Sequence, residues 1–173
     1  MTNNDALRRL RYTFDYNDNK MIALFGLADL EVTRAQISDW LKKEEDPDYI
    51  NCTDQQLASF LNGLIIEKRG KREGPQPKPE KRLGNNLIFM KLKIALDLKS
   101  EDVLEILQLA DFTISKHELS SFFRKPTNKH YRECKDQILR HFIKGMQLKY
   151  RDKTEPKVPF EWKKTTTDSD SDL

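Results

Sequence analysis

Two stretches of this chain carry side chains that could recognise another molecule. The first runs Thr33-Arg34-Ala35-Gln36-Ile37-Ser38-Asp39-Trp40-Leu41 and continues into Lys42 and Lys43; the second offers Lys116, His117, Ser120, Ser121, Arg124 and Lys125. A hydroxyl cap, outward polar residues and then a buried β-branched residue with Trp-Leu describe a recognition helix whose first turns reach base edges in a major groove. In that reading Arg34 pairs with guanine, Gln36 with adenine, and Lys42 and Lys43 with phosphates. Two features count against it: the connection Ala28 to Val32 is about two residues longer than the usual tight turn, and Asp39 would sit near phosphates.

Catalysis and metal binding find little support. His117, His130 and His141 stand opposite Ala35, Asp48 and Ser59 in the repeat described below, so the first half lacks them all. Cys52 and Cys134 show no metal-ligand spacing and read as buried structural thiols. No glycine-rich phosphate loop or nucleophile motif is present. Asp15, Asp29 and Asp54, with their counterparts Asp97, Asp111 and Asp136, fall at helix ends or in first turns, where carboxylates stabilise termini.

The elements that must position these residues follow from a duplication. Residues 3 to 69 align with 85 to 151 at a constant offset of 82 without a gap, and Asn3, Asn4, Tyr49, Cys52, Asp54, Phe60, Gly63 and Arg69 recur as Asn85, Asn86, Tyr131, Cys134, Asp136, Phe142, Gly145 and Arg151. A fixed period of this kind marks repeated structural units. Apolar residues recur at helical spacing in both copies, which predicts four helices per repeat and an all-α fold with internal twofold symmetry, the second and third helices resembling a helix-turn-helix. Thr33 with Gln36 and Ser115 with Glu118 predict capping boxes, flanked by the staples Val32–Ile37 and Ile114–Leu119. Thr53 with Gln56 predicts another, whereas Lys135 cannot cap. Gly63 and Gly145, inside helical patterns, predict close helix approach. Tyr and Cys read as plugs sealing the corner between the third and fourth helices.

Each repeat alone is near the lower size limit for independent stability, so the halves should pack together. The predicted organisation is 1–69 first repeat, 70–84 flexible basic linker, 85–151 second repeat and 152–173 disordered tail, with Val158, Phe160 and Trp162 as the tail's only anchor. Charge is unevenly shared: the first repeat carries −3, the linker +3, the second repeat +5 and the tail −2. No stretch reaches the ~20 apolar residues of a membrane span and no apolar leader opens the chain, so a cytoplasmic protein without membrane partner is expected.

Asn3-Asn4-Asp5 with Leu7-Arg8-Arg9-Leu10-Arg11-Tyr12, Asp46-Pro47-Asp48-Tyr49, Phe60-Leu61-Asn62-Gly63-Leu64-Ile65-Ile66-Glu67 and Tyr131-Arg132-Glu133-Cys134 resemble the YehS-like bacterial proteins, built from two copies of a short domain of unknown function. The resemblance covers nearly the whole chain to Arg151 and implies a bacterial cytoplasmic protein; it supplies no activity and no site residues, and the tail departs from the compact family pattern. The expectation from the residues is therefore a non-enzymatic binding protein without cofactor or metal. Nucleic acid is the expected partner, met by the third helices and by a basic second half that Arg132, Lys135, Arg140, Lys144, Lys149 and Arg151 extend. The alternative is a protein adaptor using an inter-repeat groove; an enzyme with its site between the repeats is the weakest reading.

Overall fold

The computed structural model describes residues 1–151, and the predicted tail lies outside them. Among the described residues there are eight α-helices and no strand. The first repeat holds α1 (Asn3–Phe14), α2 (Asp18–Leu27), α3 (Arg34–Leu41) and α4 (Asp54–Arg69); the second holds α5 (Asn85–Ala95), α6 (Ser100–Leu109), α7 (Lys116–Ser121) and α8 (Asp136–Met146), which passes into a π-helical turn, Gln147–Arg151.

Local chemistry sets the helix ends. Thr2, Thr33 and Thr53 each form a reciprocal capping box, with Asp5, Gln36 and Gln56 as the returning side chains. The box expected at α7 is half made: the Ser115 hydroxyl accepts the Glu118 N–H, but Glu118 returns no bond. Lys135 leaves α8 without a side-chain cap, yet α8 begins in the same register as α4.

The aspartates Asp15, Asp29, Asp97 and Asp111 are the only non-glycine residues at positive φ among those described, between 53° and 63°. Each follows the C-terminus of a helix, and the next residue donates back five positions: Tyr16 to Arg11, Leu30 to Phe25, Leu98 to Lys93 and Phe112 to Leu107. These are Schellman stops with aspartate in the left-handed position that glycine usually fills. The dipole argument therefore holds for Asp54 and Asp136, in first turns, and fails for the other four, whose carboxylates sit at negative helix ends.

The core is continuous across both repeats. Phe25, Trp40 and Phe60 cluster in the first, with ring centroids 5.4 Å apart in each contact; Phe89, Phe122, Phe123 and Phe142 cluster in the second, at 4.6 to 6.3 Å. The two cores are not copies. Leu7 and Phe25 stand where Phe89 and Leu107 stand 82 residues on, so the phenylalanine moves from the second helix to the first while volume is conserved.

The repeats meet through α4 against α5 and, in return, through α8 and the π turn against α1. Arg69 donates to the Ile94 carbonyl at 3.3 Å and pairs with Asp97 at 2.8 Å. Its counterpart Arg151 donates to the Tyr12 carbonyl at 2.8 Å and reaches Asp15 at 3.3 Å. Ile94 and Tyr12, like Asp97 and Asp15, are matching positions. The same return appears at the repeat starts: Asp54 accepts the Leu83 N–H at 3.0 Å, and Asp136 accepts the Met1 ammonium. Contacts that pair i with j and j with i are those of an isologous dimer, here within one chain.

The linker is tied down at its far end. Leu83 is buried, and Glu80 pairs at 3.1 Å with Lys91, a buried lysine that also donates to Asn62 at 2.7 Å.

Candidate nucleic-acid interface

The third helices pack chiefly within their own repeats, α3 against α1 and α2 and α7 against α6. Their polar faces are exposed. Arg34 and Lys116 each leave 65% of the side chain in solvent, and Gln36, Lys43, His117, Arg124 and Lys125 are likewise exposed.

Exposure is not freedom, and the first repeat is heavily self-paired. Arg34 donates to Asn19 at 2.7 Å and approaches Asp18. Gln36 Oε1 accepts the Thr33 N–H at 2.8 Å, so the two-atom contact that would read an adenine requires the cap to open. Lys42 sits at the C-cap of α3 with its ammonium on Asp39 at 2.7 Å, and that hydrogen bond pushes its pKa above the ordinary lysine value. Lys43 lies beyond the helix, before Glu44, Glu45 and Asp46. These four candidates do not converge as the recognition-helix pattern requires.

In the second repeat Lys116 is held to Glu101 on α6 at 2.8 Å, and this bond keeps the Glu101 carboxyl below its usual pKa. The His117 ring faces that of His130 with centroids 6.5 Å apart. Arg124 and Lys125 are not on α7, which ends at Ser121; they open the connection to α8. Sequence periodicity put them on one helix face because it carried the helix a turn too far.

That connection is where the repeats differ most. Lys42 to Ile50 sums to −2, whereas the matching Arg124 to Arg132 carries four cations and no acid. Among the described residues Arg124, Lys125, Lys129 and Arg132 are all exposed and none forms an ion pair. Beside them lies a depression of about 370 Å³ lined by Met90, Phe123 and Tyr131, by the cations Arg124 and Lys125, and by one carboxylate, Glu133.

The cationic connection is pinned from below. Asn86 on α5 donates to the Phe122 carbonyl at 3.0 Å and the Arg132 carbonyl at 2.8 Å, and accepts the Cys134 N–H at 2.9 Å. Asn4 does the same in the first repeat with Trp40, Ile50 and Cys52. Asn3 and Asn85 hold the Cys52 and Cys134 carbonyls, each at 3.0 Å. The paired asparagines thus clamp the connection at both ends, a role that spacing along the chain could not reveal. Lys129 was missed because it stands opposite Pro47 and no repeated column marks it. Arg151 leaves the expected basic face: it is committed to Asp15 and lies 3.9 Å from the Tyr12 ring centroid.

Cys52 and Cys134 are buried and free of any disulfide. Burial first, and the carboxylates of Asp54 and Asp136 second, push both thiols up to about 12 from 9.0. Folded protein at pH 8 should therefore react with a thiol reagent about a thousandfold more slowly than after denaturation, a ratio a colorimetric thiol assay reads directly. The raised thiol pKa contributes stability that is whole below the unfolded value and is lost as pH climbs from about 9 towards 12.

Among the described residues no helix is long and apolar enough to cross a membrane, and no group of three or more His, Cys, Asp or Glu side chains is placed to hold a metal ion. No solved structure matches the chain. The chain is 44% identical over 147 residues to the Escherichia coli (strain K12) protein "Uncharacterized protein YehS", a match that spans 84% of this chain and 94% of the relative. A family model described as "Protein of unknown function (DUF1456)" matches twice, over residues 3–70 and 85–152, and the chain belongs to that family.

Proposed function

We propose that the protein binds nucleic acid through the phosphate backbone, using the second repeat. The observation that carries this reading is the α7–α8 connection, with Arg124, Lys125, Lys129 and Arg132 exposed, free of carboxylate partners and held in place by Asn86. Cations already paired must break a bond to meet a phosphate; these four need not. His117 and His130 flank the surface, and Lys116 joins it once released from Glu101. The adjoining depression, walled by Phe123 and Tyr131, is suited to an unstacked base, so single-stranded or looped targets are favoured over a regular duplex. In this reading Arg34, Gln36, Lys42 and Lys43 contribute little, and specificity lies outside the third helix of the first repeat. A binding protein in the cytoplasm, without catalysis, fits this surface.

The test is fluorescence anisotropy with random duplex DNA and with structured RNA across a salt series, comparing the native chain with a variant changed to alanine at Arg124, Lys125 and Arg132. Each phosphate contact adds about 0.7 to 0.9 to the slope of log affinity on log salt, so the variant's slope should be shallower by about 2 to 3. No binding at low salt, or an unchanged slope, defeats the proposal and leaves a protein partner as the alternative.

A further inference from the structure

A groove of about 450 Å³ opens between the repeats where α4 packs on α5. Its walls include Leu27, Ile65, Ile66, Ile94 and Leu98. Leu27 and Ile94 are two of the few large apolar side chains left substantially exposed, at 38% and 45%, and both line this one groove. A concave apolar surface of this size is that of a small-molecule site; a protein helix would need a longer trough.

The rim is cationic. Lys71, Arg72 and Lys93 line it, and among the described residues none of the three forms an ion pair; Lys93 lies over the Phe123 ring, 5.5 Å from its centroid. Arg69 is neutralised by Asp97, and Asp29 is the one lining acid without a partner, so the lining groups sum to +2.

Asn62 is the one buried polar side chain in the lining. It is 5% exposed and lines the groove, and its Oδ1 accepts the Lys91 ammonium at 2.7 Å. Lysine can only donate, so the amide cannot be turned round, and its Nδ2 is left as a buried donor with no acceptor.

At the matching positions of the other repeat these features are gone. Ile94 and Leu98 are replaced by Tyr12 and Tyr16, Asn62 by Lys144, and Ile65 by Gln147 in the π turn.

We infer that the inter-repeat groove binds one amphipathic organic anion, a medium-chain carboxylate, with its apolar chain on Leu27, Ile66 and Ile94 and its head at Lys71 and Arg72. This site is separate from the α7–α8 connection and stands or falls independently of nucleic-acid binding.

The test is isothermal titration of the full chain with decanoate below its micelle concentration, beside decyltrimethylammonium as the cation of equal chain length and phosphatidylglycerol vesicles as a membrane source of the same chemistry. Decanoate should bind at one site per chain, and the cation at least tenfold more weakly. The K71E/R72E double variant, both positions exposed, should lose tenfold or more for decanoate, and Ile94→Glu should abolish binding while circular dichroism stays native. Absence of decanoate binding, equal binding of the cation, an unaffected double variant, or vesicle binding without decanoate binding would each overturn the inference.

Discussion

Gly63→Ala and Gly145→Ala should each destabilise the protein by about 3 kcal/mol or more, near the upper end of overpacking penalties, although alanine is the better helix former by about 1 kcal/mol. A Cβ on Gly63 would stand 1.8 Å from the Leu24 carbonyl oxygen and 2.7 Å from its carbon; on Gly145 it would stand 2.0 Å and 2.8 Å from the same atoms of Ile106. Leu24 and Ile106 are matching positions in the repeat. The obstacle is backbone, which has no rotamer to adopt, so α2 must move off α4, or α6 off α8. Gly26 supplies the control: it lies exposed in α2 with nothing within 4 Å of the place a methyl group would take, and Gly26→Ala should stabilise by about 0.5 to 1 kcal/mol. Urea midpoints of the three variants measure this, and a rise for Gly63→Ala would mean that helix propensity outweighs the clash.

The second large effect is expected at Asn4. Its side chain donates to the Trp40 carbonyl at 2.9 Å and the Ile50 carbonyl at 2.8 Å, and accepts the Cys52 N–H at 2.9 Å. Alanine would strand three backbone groups, two acceptors and a donor, at a fully buried position. At about 1 to 3 kcal/mol for each unmet buried group, with incomplete additivity, Asn4→Ala should cost about 3 to 5 kcal/mol. Asn86 makes the same three bonds but is only half-buried, so water can replace part of the loss and the cost should be roughly half. Chemical denaturation gives the two numbers, and hydrogen exchange at the Cys52 and Cys134 amides shows whether the clamp was lost. Equal costs would mean that burial does not set the difference.

Much of the fold was legible because it was written twice. Apolar columns at helical spacing located all eight helices, and the Thr-x-x-Gln pattern located the starts of α3 and α4. Gly63 and Gly145 announced close helix approach without naming the partner. The asparagine columns were visible as identities but silent as to purpose, because Asn4 acts across 36 to 48 residues and only the folded chain brings its partners near. Asp15, Asp29, Asp97 and Asp111 misled, since aspartate at a helix end suggests a helix start, whereas left-handed stops suggest glycine. At the candidate site, composition located the basic half, yet which cations were free could not be read from spacing. Gln36 is spent on its own cap, Lys42 on Asp39 and Arg151 on Asp15, and such local pairings compete with partner binding in ways a helical wheel does not display.

The reciprocal contacts of Arg69 and Arg151 have a bearing on stoichiometry. Two identical subunits meeting this way would be obliged to carry every surface in duplicate, two connections of one charge and two equal grooves. Joining the halves in a single chain removes that obligation. Substitutions can then accumulate on one side while the shared interface is preserved, as the −2 and +4 connections and the tyrosines replacing Ile94 and Leu98 illustrate. Each such surface is consequently carried once per chain, and neither half is interchangeable with the other.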